Sequence, residues 1–400
     1  NDAVPFWMRS NEYGSMRIAG ASGSFIGSIY KNNDTKKGLV KWGMGLQGRA
    51  NIGKSSNFTL IEGYGKVKVG VFELKAGRSK EVFGLADTLL SSGNFAISGN
   101  APGIPKIQLS IPEFYSIPVW GGLFAVKGNF AHGWMGFEDI QCKRIDKAVT
   151  YFHQKSFWLR MGKPTAKYKI YGGFTDNAMW GNEEKIFESY PFSNWKSFQS
   201  VLYGKSWAFS KVGNHLGSLD LRFEYDLESY QLAAYRQSFY EVGGLYHLAN
   251  VADGLNGISI VNKYPAERRF KWNKFLFEML YTKNQAGEAW SKPTPSGDED
   301  YYNHYMYSKG WSYQNLRLGT PFITPNNKKK KEIQNASAGY FLNNRVIAFH
   351  TGLTGSFDAW QYTSKFSYSR NFGTHSTKNT FTPVGQFSGY LEAKRQLPSG

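Results

Sequence analysis

The chain has a single cysteine, Cys142, in 400 residues, so no internal disulfide can form. It has no uninterrupted apolar run approaching ~18 residues, which excludes a membrane-spanning helix. Uncharged stretches such as Phe114 to Val126 are broken by proline and glycine, here Pro118, Gly121 and Gly122. A sustained helical period is also missing; "HLANVADGLN" (247–256) offers at most a short helix or turn. Acidic residues are few beside basic ones, 30 against 48, which leaves a net charge of +18. A basic excess suits anionic partners: nucleic acid, lipid A phosphates or acidic polysaccharide. What the chain has in abundance is aromatic side chains, at 17%, and glycine, at 44 residues. Nucleic-acid binding accounts for the charge but not for that mixture, and no nucleic-acid partner is expected.

The dominant pattern is alternation. In "LDLRFEYDLE" (219–228), Leu219, Leu221, Phe223, Tyr225 and Leu227 share one face; Asp220, Arg222, Glu224, Asp226 and Glu228 share the other. Period two over ten residues is a strand with one apolar and one charged side. "WQYTSKFSYS" (360–369) and "KFLFEMLYTK" (274–283) repeat it, and "LFAVKGNFAH" (123–132) sets Phe124, Val126 and Phe130 against Lys127 and Asn129. Turn signals such as Asn32-Asn33-Asp34, Gly213-Asn214 and Asn371-Phe372-Gly373 separate the runs. Strands of about ten residues are long for a soluble sandwich and match the ~9–11 needed to cross a bilayer. The fold class expected is all-β: a transmembrane antiparallel outer-membrane β-barrel with long loops. At ~20–22 residues per strand and connection, it has about 18 strands. Residues 1–14 read as a lead segment and 15–400 as one barrel domain. Phe124, Phe223, Tyr225, Phe275, Phe277 and Tyr362 should face lipid; Lys127, Arg222, Glu224 and Lys365 should face the lumen. Segments 80–108 and 284–337 alternate poorly and are too long for tight turns, so they are expected to fold inward and obstruct the lumen. The chain opens on Asn1 rather than Met, as a mature protein without its signal peptide would. It stops at "KRQLPSG", a turn, so a closing C-terminal segment is expected to be missing.

Several motifs tempt and fail on context. Gly48 to Ser55 matches the phosphate-loop pattern, but that chemistry needs a helix after the lysine, and "SNFTLIEGYG" reads as turn and strand. The seven histidines lack zinc-ligand spacing, and Asp298-Glu299-Asp300 lacks the spaced oxygens of a calcium loop and reads as solvated. A Ser/His/Asn hydrolase set assembled from distant strands leaves no trace in spacing. The expectation is therefore no catalytic residue, no metal and no cofactor. Lys328 to Lys331, after "TPNN", read as a solvated loop tip or an anchor for anionic glycan.

The densest aromatic stretch is "GDEDYYNHYMYSKGWSYQ" (297–314). Tyr and Trp suit places apolar on one side and wet on the other, such as membrane interfaces, sugar sites and protein interfaces. A glycan-binding loop over 297–325 would use Tyr301, Tyr302, Tyr307 and Trp311 for sugar C–H faces. Asn303, His304 and Arg317 would serve hydroxyls or a uronic carboxylate. Asn177 and Trp180, from "TDNAMWG", would be neighbours. The competing reading is that these rings only hold the loop together or join an interfacial girdle.

Three segments carry a resemblance: "HQKSFWLRMGKPTAKYKIYGGFTDNAMWGN" (153–182), "GDEDYYNHYMYSKGWSYQNLRLGTPFITP" (297–325) and "NNRVIAFHTGL" (343–353). Together with the opening "PFWMRSNEYG" they resemble the Wzi family of capsule assembly proteins, in the form common in Bacteroidota. The resemblance implies an outer-membrane barrel of about 18 strands that binds surface capsular polysaccharide and aids its attachment. It implies a lectin-like protein rather than an enzyme. Enterobacterial members carry a periplasmic helical bundle near the N-terminus, whereas strand-like sequence begins here by about residue 15. The partners expected are acidic surface polysaccharide or lipopolysaccharide, outer-membrane lipid and other outer-membrane proteins. Alternative readings are an accessory barrel in a larger outer-membrane assembly, a porin or export channel, and an outer-membrane enzyme.

Overall fold

The structure is a computed structural model. It describes residues 4–16, 22–33, 38–53, 56–141, 144–207, 210–241, 243–265, 269–287, 299–326, 339–375 and 382–395. Lys54, Ser55, Cys142, Asp298 and the run Lys328 to Lys331 lie outside the described residues.

One antiparallel sheet dominates. It begins with β1 (Ser22–Asn32), β2 (Val40–Gly53), β3 (Asn57–Val69), β4 (Phe72–Arg78), β5 (Lys106–Ser116), β6 (Phe124–Asp139), β7 (Lys147–Met161) and β8 (Tyr168–Trp180). Two short strands, β9 (Ser206–Trp207) and β10 (Ser210–Lys211), pair with each other off the sheet. The sheet continues through β11 (Asn214–Asp226), β12 (Tyr230–Tyr240), β13 (Gly254–Asn262) and β14 (Phe270–Tyr281). Four short strands follow: β15 (Ser312–Tyr313), β16 (Leu316–Arg317), β17 (Thr324–Pro325) and β18 (Phe341–Asn343). The sheet ends with β19 (Val346–Phe357), β20 (Trp360–Asn371) and β21 (Val384–Arg395). Each of its strands pairs with its predecessor in the sheet, a 15-stranded meander. Uniform spacing predicts about 18 strands. The difference lies in residues 79–105 and the described parts of 282–345, which lie outside the sheet. No β21–β1 pair occurs among the described residues. Gly48 to Gly53 continue β2, so the phosphate-loop match sits on strand and not before a helix.

The alternation rule holds along the wall. Leu219, Leu221 and Phe223 are exposed on one face while Asp220 is buried on the other. Arg222 and Glu224 bond each other at 2.9 Å, and Arg222 reaches the Leu85 carbonyl at 3.0 Å on the inner side. Phe275 and Phe277 are exposed while Leu276 and Glu278 are buried. Lys127 lies 5.5 Å over Trp158, and Lys365 lies 5.4 Å over Trp7, both inside. Because the outer face meets hydrocarbon, Leu221→Arg should destabilise the protein by ~2–4 kcal/mol if the residue lies at mid-bilayer. Equilibrium unfolding in lipid vesicles measures this; an unchanged midpoint would put that face elsewhere than in lipid.

The inner face is filled by chain. Residues 79–105, the segment after Glu299, and the lead with α1 (Phe6–Arg9) contribute to one buried cluster with Phe152, Leu216, Phe239, Leu276 and Ala348 of the wall. Anchors come from nearly every strand. Arg49 of β2 pairs Glu12 at 2.9 Å, and Asp220 of β11 accepts from the Leu85 N–H at 3.0 Å. Gln237 of β12 accepts from the Phe95 N–H at 2.9 Å, and Glu278 of β14 from the Ser92 N–H at 2.7 Å. His350 of β19 bonds the Leu90 carbonyl at 2.8 Å, and Trp7 donates to Ser367 of β20 at 3.2 Å. Partners from β2 through β20 converge on the same segments, so the sheet curls around a plug. Of the segments expected to fold inward, residues 80–105 and the described stretch 299–326 contribute to this buried cluster, whereas Lys106 to Gln108 belong to β5.

Short turns join the strands at one end: β3–β4, β7–β8, β11–β12 and β19–β20. The connections of 79–105, 181–213, 241–253 and 282–345 all leave from the other end.

Candidate functional site

At the end with the long connections lies a cleft of ≈ 380 Å³. Its lining includes Lys211, Asn214 and Glu241 from the wall and the 181–213 connection, and Glu299, Asp300, Asn303, His304, Tyr305 and Tyr307 from the aromatic stretch. Of the nine residues picked out in the sequence, the structure brings three to this cleft: Asn303, His304 and Tyr307.

The other six are packed away. Tyr301, Tyr302 and Trp311 are fully buried in the plug. The Tyr301 hydroxyl donates to Asp253 at 2.7 Å, the Tyr302 hydroxyl donates to the Phe95 carbonyl, and the Trp311 Nε1–H donates to the Ala96 carbonyl at 2.7 Å. Burial pushes both tyrosine hydroxyls well above their usual range. Gly319 permits the closest approach, since a Cβ there would overlap the Phe95 carbonyl and the Tyr302 hydroxyl. Arg317 is buried and donates to the Ile323 carbonyl at 3.0 Å, so it offers no fork to a carboxylate in solution. Burial and nearby Arg9 bring its guanidinium down to about 9. Asn177 points inward, accepting from Gln154 at 2.8 Å and donating to the Leu216 carbonyl at 3.2 Å. Trp180, three residues on, falls on the opposite face, packed with Val201 and Phe198. Two residues three apart on a strand cannot share a side. These rings and polar groups therefore build the core, not a sugar-facing surface. Tyr307 is also almost wholly buried, with burial raising its hydroxyl well above the usual range, and its edge alone reaches the cleft.

Of the acidic run expected to be solvated, Glu299 is buried and Asp300 half-buried, and both are bonded by protein donors. Glu299 accepts from the backbone N–H of Glu241 at 2.7 Å and of Gly243 at 2.9 Å. Asp300 accepts from Asn303 at 3.0 Å and Asn344 at 2.7 Å, and burial raises its pKa. Each carboxylate replaces lost water with protein donors, as buried charge requires. Half-buried His304 takes the Met306 N–H on Nδ1 at 3.3 Å, and burial with nearby His215 holds its imidazole down to about 3. It is neutral at any ordinary pH.

What sequence reasoning missed is Tyr305, a ring of the stretch that is 51% exposed and lines the cleft together with Lys211. Lys211 belongs to the 181–213 connection, which contains α2 (Glu183–Ile186) and α3 (Asn194–Tyr203). The search for sustained period passes over this helix. Its signal lies in its ends and spacing: Ser193 precedes it, Phe198, Val201 and Leu202 take i, i+3 and i+4 positions, and Gly204 ends it at φ 63°. No group of His, Cys, Asp and Glu suited to a metal occurs among the described residues.

A strand-crossed wall with an apolar outer face and a packed inner face defines an outer-membrane protein of the β-barrel class. The family model for "Capsule assembly protein Wzi" matches residues 1–350 of the 400, and the chain belongs to that family. It is a bacterial outer-membrane protein with a role in capsule assembly. No curated protein matches the chain. Solved structures with some likeness include OprD of Pseudomonas aeruginosa, 9% identical, covering 93% of this chain and 88% of that one, TM-score 0.37. The channel DcaP of Acinetobacter baumannii is 8% identical over 91% and 84%, TM-score 0.39. Salmonella typhi OmpF in complex with daunomycin is 8% identical over 95% and 93%, TM-score 0.40.

Proposed function

We propose that the protein binds capsular polysaccharide, without cleaving it, at the cleft beside Tyr305. The single observation behind this reading is the cleft's composition. An exposed ring offers a face for sugar C–H groups; Ser210 offers a hydroxyl; Lys211 offers a cation to an acidic sugar. The chain's net charge of +18 points the same way. Binding without chemistry is supported by what the carboxylates do. Glu299 and Asp300 are spent on backbone and amide donors, so neither is poised as an acid or base. The cleft lies among the long connections, and in outer-membrane barrels long connections face the exterior. The filled lumen favours this reading over a general porin.

Tyr305→Ala and Lys211→Gln should each weaken binding of the producing bacterium's soluble capsular polysaccharide about five- to tenfold in calorimetric titration, with normal heat-modifiable gel mobility. Affinity should show no inflection between pH 5.5 and 7.5 arising from His304, because that ring is neutral throughout. The polysaccharide should keep its length after incubation. Wild-type affinity in both variants would place the site elsewhere. To test orientation, Tyr246→Cys in a Cys142→Ser background should react with membrane-impermeant maleimide on intact cells, since Tyr246 stands exposed at the same end.

A further inference from the structure

The outer wall breaks the apolar rule across β6 to β11, near the end with the long connections. His132 of β6, His153 and Lys155 of β7, Asp176 of β8 and His215 of β11 all sit on the outer face, as their pairing shows: His132 opposite His153, Lys155 opposite Asp176, His215 opposite Ala178. Exposed to hydrocarbon, such a cluster would cost several kcal/mol by the ~2–4 kcal/mol scale for one charge. It is not exposed. The 181–213 connection folds back over it on the outside of the wall. Phe198 of α3 lies 5.7 Å from the His132 and His153 rings and 5.4 Å from Trp180. Lys155 donates to the Leu202 carbonyl and pairs Asp176 at 3.0 Å. His215 bridges Asp176 and the Val212 carbonyl, each at 3.1 Å.

The connection is thus a shelf on the bilayer side, near the end with long connections. Its far side carries a stripe of Trp195, Lys196, Gln199 and Tyr203, spaced i, i+1, i+4 and i+8 on α3. Trp195 is 68% exposed and Tyr203 70%. Lys196 lies 5.1 Å over Phe192 and Lys205 5.7 Å over Tyr203, and neither has an acidic partner among the described residues. α3 itself contains no acidic residue. Directly along the wall, Phe157, Phe174 and Leu219 present bare apolar side chains. Trp and Tyr with snorkelling lysines, on a helix laid against a lipid-facing wall, are the composition of the headgroup layer.

We infer that residues 181–207 form a membrane-interface shelf that binds the phosphomonoester headgroups of anionic lipid. Trp195 and Tyr203 rest at headgroup depth, and Lys196 and Lys205 reach the phosphates. The occupant is lipid because the shelf is continuous with the lipid-facing wall. A capsular polysaccharide chain would approach the cleft instead, at Lys211 and Tyr305.

The experiment uses the full chain in nanodiscs. Native mass spectrometry counts retained lipid after exchange into discs holding phosphatidic acid, diphosphorylated lipid A or phosphatidylcholine alone. Both phosphomonoester lipids should be retained in preference to phosphatidylcholine. Lys196→Gln with Lys205→Gln should cut that preference about five- to thirtyfold, on the scale of one surface cation each. A bimane attached to the thiol introduced by Trp195→Cys, in a Cys142→Ser background, should be quenched by headgroup-level nitroxide lipid and shielded from aqueous iodide. Equal retention of all three lipids, or a bimane quenched by iodide and not by lipid, overturns the inference. So does loss of soluble polysaccharide binding in the double lysine variant with lipid preference intact, which would make the shelf part of the glycan site. The assay is independent of the cleft, so its failure leaves the polysaccharide reading untouched.

Discussion

Glu278→Ala should open the lumen and show stepwise openings in planar bilayers, where the unaltered chain is expected to give no large stable conductance. Glu278 is fully buried on β14, and its carboxylate accepts from the Ser91 hydroxyl at 2.6 Å, the Ser92 N–H at 2.7 Å and the Tyr235 hydroxyl. It is the main polar latch of the plug segment 79–105. Removing it strands two buried donors, the Ser92 N–H and the Tyr235 hydroxyl, away from water, at about 1–3 kcal/mol for each, and releases the Ser91 hydroxyl. The latch's neighbours cannot compensate. Asp87 is already paired with Lys274 and caps the Leu89 and Leu90 N–H groups, and His350 already holds the Leu90 carbonyl. The wall has its own backbone ladder on both sides of β14, so assembly should survive. Glu278→Gln keeps one acceptor and the shape, and should stay quiet. Large, stable conductance from the unaltered chain, or silence from Glu278→Ala with normal gel mobility, would show that the plug is not what seals the lumen.

Trp311→Ala should cost about 3–5 kcal/mol of stability, the range for emptying the space of a large buried ring. Trp311 is fully buried, lies 6.2 Å from Phe152 of the wall, and spends its N–H on the Ala96 carbonyl. It therefore ties both inserted segments to β7. Denaturant unfolding in vesicles measures the loss, and Trp311→Phe should recover part of it. Tyr305→Ala, a few residues away in the same stretch, should stay within about 0.5 kcal/mol of wild type, because its ring is exposed. The pair separates core from surface within one loop. If Trp311→Ala were as stable as wild type but lost polysaccharide, the ring would be a sugar face after all.

Much of the wall was legible in the chain. Period-two runs such as 219–228 and 274–283 carry their facing in the residues themselves, because a strand alternates strictly and charge on the lipid side is costly. The inward folding of the long segments was legible too, from length and lack of period. The strand number was not, since a segment such as 79–105 consumes chain without adding to the sheet and nothing local marks how much. The site was half legible. The stretch 299–311 does border the cleft, but ring identity does not say which ring is covered. Tyr301, Tyr302 and Trp311 are buried because segment 79–105, some 200 residues earlier, brings Phe95 and Ala96 against them. Tyr305 is flanked by His304 and Phe187, lines the cleft and still keeps about half its surface exposed.

Sequence alone determined a transmembrane β-class wall, its inward and outward faces, and a basic, aromatic-rich chain resembling capsule assembly proteins. Those follow from short-range alternation and composition. Tertiary structure alone decided which aromatics are core, that the acidic pair Glu299 and Asp300 is bonded by protein donors, and that His153, Lys155 and Asp176 can stand on the lipid side of strands β7 and β8. Each of these depends on a distant segment covering a position, and the alternation of a strand carries no record of what will cover it.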